Sequence, residues 1–318
     1  MDPSLFATDI ERRPGALQDL QRFLVTDDPW ADVPDEIEQV LLVGMGSSTY
    51  AASVAAARLR AHGVEAVAEL ASSELLPPPD PERLVVAISA SGGSRETLDA
   101  VAQYAGQSPV VVLTNVEGSP LTEVADATVL MHAGEERGGV SCRSYTHTQV
   151  LLLALEARFT GVERDLLAIL GRSVEASQDL LDRRAGWLPQ AVEHLGGPDI
   201  TAVVAPFRRL GNAQQSALMV REGPRRQAVA SETGEWSHVD VYLTKTQDYR
   251  MLLLPGSRYE AELLRWTEER GTTVVSVGAD LEAADASIRY RHDKDEDVRL
   301  LTELMVAELV AADLWLST

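Results

Sequence analysis

Short apolar runs alternate with stretches of helical spacing along most of the chain. In the first half, strands are predicted at 39–43, 64–70, 84–89, 110–114 and 127–131, and the first of them is a continuous apolar run typical of a parallel strand covered on both faces. An alanine-rich helix is predicted at 49–62, a helix-like stretch follows the second run up to Pro77, and a further helix ends near Tyr104. Strands that alternate with helices of this length predict right-handed crossovers and a parallel sheet.

The same alternation returns in the second half. Strands are predicted at 200–205, 249–254 and 273–277, with helices at 212–222, 258–271 and 298–316. The second half therefore resembles a shorter copy of the first, although no residue-level repeat is visible. We predict an α/β protein of two tandem flavodoxin-like, three-layer α/β/α domains with parallel sheets, the first in the strand order 2-1-3-4-5.

These elements divide the chain into four segments. They are an N-terminal helical segment at 1–34, a first α/β domain at 35–160, a connecting helix at 161–198 and a second α/β domain at 199–318. The N-terminal segment has helical spacing from Asp9 to Val25, and the connecting helix has breaks near Gly186 and Pro189.

Acidic residues outnumber basic ones, 49 to 28, and the formal net charge is −21 across 318 residues. Such a charge repels nucleic acids and anionic membrane surfaces, so we expect neither as a partner. An anionic ligand must be held by local amides, hydroxyls and a few arginines, because the overall field opposes its approach. Any anion site in this chain therefore has to be specific.

The one cysteine, Cys142, excludes an intramolecular disulfide and a cysteine-clustered zinc site. No apolar run approaches the ~18 residues that span a membrane, and the N-terminus has no secretory apolar core, so we expect a cytoplasmic protein. The histidines at 62, 132, 147, 194 and 292 lack metal-ligand spacing, so no metal is expected. Thr49 stands where a dinucleotide fingerprint has its third glycine, which disfavours a Rossmann cofactor, and we expect no cofactor.

The third apolar run ends in a loop of small hydroxyls and glycines, Ser89-Ala90-Ser91-Gly92-Gly93-Ser94. Its amides and hydroxyls suit a phosphate at the positive end of the next helix, but Ser and Gly are also common in ordinary turns and caps. A similar loop, Gly44 to Thr49, follows the first run. Ligands bind where strands 1 and 3 of this fold diverge, so the two loops would flank one crevice, which favours a phosphate site.

A second candidate site lies in the later half of the chain. Glu222 ends a helical pattern, and His238 lies in a loop that begins at Gly234. A carboxylate and an imidazole that converge on one pocket would suit proton transfer between adjacent sugar carbons, with the histidine aiding ring opening. From the residues alone, a surface glutamate and a loop histidine are the more common outcome of such a pattern.

Five segments carry a resemblance to a known family. They read GMGSS at 44–48, SASGGS at 89–94, LTNVEGSPL at 113–121, EERGGVSCRSYT at 135–146, and ALMVRE through GEWSH at 217–238. From Val40 onward the chain resembles the sugar isomerase (SIS) family, in particular the double-SIS isomerase half of glucosamine-6-phosphate synthase and its deglycase relatives. The most specific match is the spacing of sixteen positions between Glu222 and His238, which is the family's own without a gap.

The resemblance implies roles for the residues at matching positions. It implies phosphate binding by Ser48, Ser89, Ser91 and Ser94, and substrate contacts by Gly46, Ser47 and Ser141. It also implies that Glu222 is the base that moves a proton between C1 and C2, and that His238 opens the sugar ring. In the family this histidine reaches into the active site of the other subunit, so a homodimer is expected.

The chain departs from the family pattern in several places. Ala90 stands where the family often has a phosphate-binding glutamine, Gly93 where it has glutamate, and Met219 where the synthase has a lysine. The sequence ends at Thr318, before the synthase's lysine-bearing tail, and no glutaminase domain precedes the fold, so we do not expect a complete glutamine-dependent synthase. Lysine occurs only at 245 and 294, and Lys245 is a minor candidate for a catalytic lysine.

These features predict an enzyme of carbohydrate-derivative metabolism that acts on a phosphorylated sugar or amino sugar. We favour a deaminase or deglycase-type isomerase, because the matching segments resemble the synthase and deglycase branch. An aldose–ketose isomerase that releases no amine is the alternative within the same chemistry. The missing lysines and the changes at Ala90 and Gly93 leave open a sugar-phosphate sensor without catalysis.

Overall fold

The computed structural model describes residues 1–317 and contains two compact units. The first unit comprises Ala16–Glu135 and Arg143–Ala168, and the second comprises Met1–Gly15, Glu136–Cys142 and Ile169–Thr318. Each unit has one parallel five-stranded sheet with flanking helices, which confirms the prediction of two tandem α/β domains. Within residues 1–317, no helix is long and apolar enough to cross a membrane.

Two helices open the chain, α1 (Pro3–Glu11) and α2 (Arg13–Thr26). The first sheet and its helices follow as β1 (Gln39–Gly44), α3 (Ser47–Ala61), β2 (Glu65–Leu70), β3 (Arg83–Ile88), α4 (Arg95–Ala102), β4 (Val110–Thr114), β5 (Ala127–Leu130) and α5 (Arg143–Thr160). The strand order is β2-β1-β3-β4-β5, all parallel, as predicted. The strands β1, β3 and β4 are buried along nearly their whole length, as their continuous apolar sequences require.

The first unit differs from the predicted elements in two places. Arg12 separates α1 from α2, where the spacing predicts one helix from Asp9 to Val25. Residues 71–82 contain no helix, so the predicted helix-like stretch after β2 is wrong. The segment before Pro77 is too short to propagate a helix, and the Ser73 hydroxyl instead accepts the amide of Leu75 at 3.1 Å in a local turn.

The second half of the chain repeats this architecture. Its elements are α6 (Leu166–Asp182), α7 (Arg184–Leu195), β6 (Ile200–Ala205), α8 (Leu210–Glu222), β7 (Ala228–Glu232), α9 (Thr233–Trp236), β8 (Tyr249–Leu253), α10 (Glu260–Arg270), β9 (Thr273–Val277), β10 (Ala286–Ile288), α11 (Glu296–Thr302) and α12 (Leu304–Leu316). The sheet order β10-β9-β8-β6-β7 matches that of the first sheet, because β6 corresponds to β1 and β7 to β2. The second half is therefore a topological copy of the first, as predicted.

Two strands of the second sheet were not among the predicted elements. The strand β7 reads AVASE and β10 reads only ASI, so neither has the continuous apolar run that marks a covered strand. Both lie at the edges of the sheet, where each is hydrogen-bonded to one neighbouring strand. An edge strand buries less surface, so its sequence carries a weaker apolar signal.

The predicted connecting helix is in fact two helices, α6 and α7, separated at Arg183. The predicted break points, Gly186 and Pro189, both lie inside α7. The Arg183 side chain holds the break by pairing with Asp179 at 2.8 Å and by donating to the carbonyl of Arg289. The last predicted helix is also divided, into α11 and α12.

Helices cover both faces of the second sheet. Val203 of β6 belongs to the same buried cluster as Val220 of α8 and Phe6 of α1. The next residue, Val204, belongs to a different cluster that contains Trp236 of α9. Because successive strand residues point to opposite faces, α8 and α1 lie on one face of this sheet and α9 lies on the other.

Candidate functional site

In the first unit, the carboxyl ends of β1 and β3 lie side by side. Gly44, the last residue of β1, pairs directly with Ile88, the last residue of β3. A Cβ at Gly44 would lie 2.7 Å from the Cβ of Ser48 and 3.0 Å from the Ile88 carbonyl oxygen, so glycine lets the following loop fold back over the strand. The two loops predicted to bind phosphate therefore start from adjacent positions.

The loop after β1 enters α3 through a left-handed glycine. Gly46 has a φ of +53° and precedes the helix, whose first turn has no side-chain cap. The Thr49 hydroxyl donates to the Gly44 carbonyl at 2.6 Å, which fixes the turn. Among residues 1–317, the hydroxyls of Ser47 and Ser48 have no hydrogen-bond partner. The Ser48 amide donates to the Met45 carbonyl at 3.1 Å, and no side chain caps the remaining amides of the first turn, so this helix N-terminus with two available hydroxyls is suited to an anion.

The loop after β3 is ordered by its own backbone and leaves Ser91 exposed. The Gly92 amide donates to the carbonyl of the buried Ser89 at 3.0 Å, and Gly92 has a φ of +63°. A Cβ at Gly92 would lie 2.0 Å from the Ser119 hydroxyl oxygen, so both conformation and space require glycine here. The Ser91 amide makes no backbone hydrogen bond within the described chain, so it is available to a ligand.

Ser94 is the N-cap of α4. Its hydroxyl accepts the Thr97 amide at 3.4 Å and donates to the Glu96 carboxylate at 3.0 Å. The bond from the Glu96 backbone amide, and after it the bond from Ser94, lowers the pKa of the Glu96 carboxyl. A carboxylate thus already lies against the first turn of α4 and takes the one proton of the Ser94 hydroxyl, so Ser94 donates to a bound phosphate only after its hydroxyl turns away from Glu96.

Two residues that support the serine loop carry no sequence prediction of their own. The Thr114 hydroxyl, at the end of β4, donates to the Ala90 carbonyl at 3.4 Å. The Ser119 side chain is buried against Gly92. Both lie within the LTNVEGSPL segment, and that motif match is the signal that could have identified them.

In the second unit, Ser141 lies against α8, the helix that ends at Glu222. The Gln215 side-chain amide of α8 donates to the Ser141 carbonyl at 2.9 Å. Gln215 and Glu222 are seven positions apart and share one side of the helix, because seven residues make about two turns. Ser141 is half-buried, and within the described chain its hydroxyl has no hydrogen-bond partner. The structure therefore brings Ser141 and Glu222 to the same side of one helix.

Glu222 occupies the C-terminal position of α8 and is half-buried. Burial raises the pKa of its carboxyl above the ordinary 4.5, and the neighbouring Arg221 opposes this shift. A carboxylate at this end of a helix also meets the negative end of the helix dipole, so it does not stabilise the helix. A partly desolvated carboxylate with a raised pKa is suited to general-base chemistry near neutral pH.

His238 is exposed and follows α9. The Glu232 carboxylate caps that short helix by accepting two amides of its first turn, at 2.7 and 3.0 Å. The buried Trp236 anchors the turn, because its indole N–H donates to the Tyr249 hydroxyl at 2.9 Å. Since α8 and α9 cover opposite faces of the second sheet, Glu222 and His238 of one chain belong to opposite sides of that sheet.

Met219, which stands where the synthase has a lysine, and Lys245, the minor candidate for a catalytic lysine, both contact neighbouring side chains. Met219 is fully buried, and its sulfur lies 3.6 Å from the Gln215 amide nitrogen. The Lys245 ammonium lies 5.3 Å from the centre of the Tyr242 ring. In the part of the chain that the structure describes, no group of three or more His, Cys, Asp or Glu side chains is arranged to hold a metal.

The family of the first unit follows from a direct match. Residues 36–158 match the family model of the SIS domain, so this part of the chain is a SIS domain, as the motifs implied. The second unit has the same strand order. The architecture is thus that of two tandem SIS-like α/β domains.

Curated relatives of this chain carry fructose 6-phosphate in their names. The chain is 31% identical over 221 residues to the glutamine–fructose-6-phosphate aminotransferase of Aeropyrum pernix, an alignment that covers 65% of this chain and 36% of that enzyme. It spans between about a quarter and a half of the length of the curated relatives it matches.

Two solved structures share the whole fold. The C-terminal domain of glucosamine-fructose-6-phosphate aminotransferase from Francisella tularensis matches with a TM-score of 0.82 at 18% identity, covering 98% of this chain and 96% of that one. Glucosamine-6-phosphate deaminase from Thermotoga maritima matches with a TM-score of 0.78 at 19% identity, covering 98% and 94%. At this level of identity the likeness shows the fold alone.

Proposed function

We propose that the protein is an enzyme that acts on a phosphorylated sugar or amino sugar, as a deaminase or deglycase-type isomerase. The observation that carries the proposal is the environment of Glu222, a half-buried carboxylate with a raised pKa on the same side of α8 as Ser141. The names of the relatives support the substrate class, since they refer to fructose 6-phosphate and glucosamine 6-phosphate.

In this mechanism the sugar phosphate is held by the two small-residue loops of the first unit. The amides at the start of α3 and the amide of Ser91 offer backbone donors for the phosphate oxygens. The hydroxyl donors are those of Ser48, Ser89, Ser91 and Ser94, with Gly46 and Ser47 beside them. Local donors at helix N-termini compensate for a net charge of −21, which by itself repels the ligand.

Glu222 then moves a proton between C1 and C2 of the open-chain sugar, through an enediol or enolamine. Its raised pKa suits both halves of this transfer, because the carboxylate takes the proton and the acid returns it. When the substrate carries an amine, water hydrolyses the resulting imine, so the amine leaves and the sugar gains a carbonyl oxygen. Without an amine, the same transfer gives aldose–ketose isomerisation.

The proposed ring-opening histidine, His238, comes from a second copy of the chain. Two features support this arrangement. His238 and Glu222 of one chain belong to opposite faces of the second sheet, so one chain does not present both to one side. His238 is also flanked by exposed apolar side chains, Val239 at 53% and Tyr242 at 63% exposure, as expected at a surface that meets a partner.

The central test is the variant Glu222→Gln. We expect kcat to fall by about 10²–10⁴-fold, because the amide cannot accept a proton, while the Kd for fructose 6-phosphate changes little. In the unaltered enzyme, the acidic limb of kcat/KM against pH should lie above 4.5, since the raised pKa of Glu222 shifts its deprotonation upward. Ammonia and ketose release from a panel of hexose and hexosamine 6-phosphates measures turnover.

The matched control for this variant is Glu262→Gln, which neutralises an exposed glutamate of α10 and should leave kcat unchanged. Full activity in Glu222→Gln would remove this residue from the role of base. Binding of sugar phosphates without turnover by the unaltered protein would instead support the sensor hypothesis that the missing lysines raise.

Subunit complementation tests the donation of His238. A dimer of one Glu222→Gln chain and one His238→Ala chain contains one site with both groups intact if the histidine crosses the interface. Co-expression of the two inactive variants should therefore restore about a quarter of the normal activity, because about half of the dimers are mixed and each has one of two sites intact. If both groups act within one chain, no activity returns.

A further inference from the structure

Buried polar side chains hold the loop Glu136–Cys142 immediately around Ser141. Gln215 donates to the Ser141 carbonyl at 2.9 Å. At the next residue, Arg13 Nη2 donates to the Cys142 carbonyl at 3.3 Å and pairs with the Glu308 carboxylate at 2.5 Å. The side chains of Arg13 and Glu308 are 0% exposed. The Ser141 carbonyl is thus held by Gln215 of α8, and the next carbonyl, that of Cys142, by Arg13 at the start of α2.

Helix α1 also lies directly on this loop. The Asp9 carboxylate accepts the Gly138 amide at 2.7 Å. A Cβ at Gly138 would lie 2.5 Å from the Cα of Phe6, so the two backbones are in contact and glycine permits the approach. The Glu136 carboxylate accepts the Cys142 amide at 2.7 Å and closes the loop on itself. The loop is therefore ordered from its first residue to its last.

Stability alone does not account for the pair of Arg13 and Glu308. The desolvation of two buried charges offsets much of their attraction, and apolar side chains of similar volume often replace such a pair without loss. An apolar pair would lack the donor that Arg13 presents to the Cys142 carbonyl. The hydrogen bond from Arg13 to the Cys142 carbonyl therefore holds the residue next to Ser141.

We propose that Arg13 is a positioning residue for the substrate loop, which holds the Cys142 carbonyl so that the Ser141 hydroxyl keeps one direction. The proposal rests on the function above, in which Ser141 contacts the sugar phosphate. Arg13 acts through the backbone and touches no reacting atom. A loop that is ordered before the substrate arrives loses less conformational entropy on binding, so the effect falls on substrate affinity.

The test compares two double variants. Arg13→Met with Glu308→Leu removes the pair without leaving an unpaired buried charge. Arg209→Met with Glu303→Leu removes an equally buried pair of the same unit, with side chains 1% and 0% exposed. Arg209 donates to Glu303 and to the Pro255 carbonyl and also pairs with Glu296 at 3.4 Å, and because all three partners lie outside the substrate loop, this variant is the control.

The first measurement is amide hydrogen exchange without ligand. We expect the Gly138 and Cys142 amides to exchange at least about tenfold faster in the Arg13 variant and at the normal rate in the control. Normal exchange in a folded Arg13 variant overturns the proposal. Because this result needs no turnover, it decides the role of Arg13 even if the proposed enzymatic function fails.

The second measurement is a double-mutant cycle with Ser141→Ala. Each change alone should raise KM for the sugar phosphate by about fivefold, the loss of one hydrogen bond, with kcat within twofold. Combined, they should raise KM no further, because both remove the same contact. If the KM increases of the two changes instead multiply in the combined variant, they are independent, and Arg13 has only a structural role. An equal KM increase in the Arg209 control would lead to the same conclusion.

Arg13→Lys covers the case in which the double variant does not fold. Lysine keeps a positive charge beside Glu308, but its shorter, single donor cannot reproduce the guanidinium geometry. We expect faster loop exchange and a raised KM in this variant as well. Values equal to those of the unaltered protein would overturn the proposal.

Discussion

At the carboxyl ends of β1 and β3, the first sheet leads into loops of glycine, serine and alanine. In the second sheet, the segments after β6 and β8 also contain a glycine and a serine, but they add the charged side chains of Arg208, Arg209 and Glu260. Gly44 pairs with Ile88 in the first sheet, and Val204 pairs with Leu253 in the second. The strand orders are the same. The contrast therefore comes from the residues that follow the strands.

In the second sheet, the protein itself uses the groups at the strand ends. The buried Arg209 donates to the Pro255 carbonyl and pairs with the Glu303 carboxylate. The Glu260 carboxylate accepts the Gly256 amide at 2.5 Å, which is the place a ligand anion would take. Long charged side chains thus pair with the Pro255 carbonyl and the Gly256 amide at the carboxyl ends of the second sheet's strands, which are called the second edge below, as the ends of β1 and β3 are called the first edge.

Topology supplies a place for a ligand at the carboxyl ends of the strands, but it does not decide whether that place is open. Buried backbone groups must be paired, either within the protein or with a ligand. Short side chains at the first edge leave the Ser91 amide and the hydroxyls of Ser47 and Ser48 available, whereas ionised side chains bind the Gly256 amide and the Pro255 carbonyl at the second edge. One edge is thus a candidate binding site and the other is a closed structural edge.

The variant Arg209→Ala tests the contrast between the two sheets with the largest expected change in the free energy of unfolding. Removing the arginine leaves Glu303 buried without its partner, so the free energy of unfolding should fall by about 3–5 kcal/mol, measured in urea. The paired variant Arg209→Met with Glu303→Leu should recover most of this loss. In both folded variants the Kd for fructose 6-phosphate should stay within twofold, and a loss of binding would give the second edge a part in the ligand site.

A smaller effect is expected from Gly92→Ala at the open edge. The left-handed backbone and the contact with Ser119 make this change strained, with a cost of about 1–3 kcal/mol in unfolding free energy and weaker binding of fructose 6-phosphate. Gly93→Ala is the control, because a Cβ there meets no atom within 4 Å. Calorimetry and urea unfolding measure both quantities, and equal behaviour of the two variants would contradict the predicted geometry.

The smallest effect in this series is expected from Ser91→Ala, compared with Ser257→Ala. Each hydroxyl accepts the amide two residues later, at 3.4 Å in the first edge and 3.2 Å in the second, so the local turns are matched. Ser91→Ala should weaken fructose 6-phosphate binding by about fivefold, and Ser257→Ala should leave it unchanged. A similar change in both variants, read by titration calorimetry, would mean that the hydroxyls act only within their turns.

Elements with strong local signals could be predicted from the sequence. Buried parallel strands such as β1 and β4 are continuous apolar runs, and the structure has them within a residue or two of the predicted bounds. The strand β7 was missed because an edge strand of small residues carries little apolar signal. That omission matters for the site, because β7 lies between Glu222 and His238 and leads the chain to the other face of the sheet.

The candidate site was predictable in part for the same reason. The serines at 48, 89, 91 and 94 lie in short motifs beside strand ends, so local sequence is enough to nominate them. Arg13 carries no such signal, because it meets Cys142 across 129 positions and Glu308 across 295. Contacts over these separations arise only when the helices have packed.

By itself, the sequence determined the alternation of strands and helices and the small-residue loops, since each depends on neighbouring residues, whereas the strand order of the first sheet was expected from the fold type. The tertiary structure decided which of the two equivalent sheet edges is closed, because the closing groups come from distant segments such as α11 and the residues around Glu303. It also decided that Glu222 and Ser141 share one side of α8 and that His238 belongs to the opposite face. The physical reason is that burial and pairing are properties of packed surfaces, which no local pattern contains.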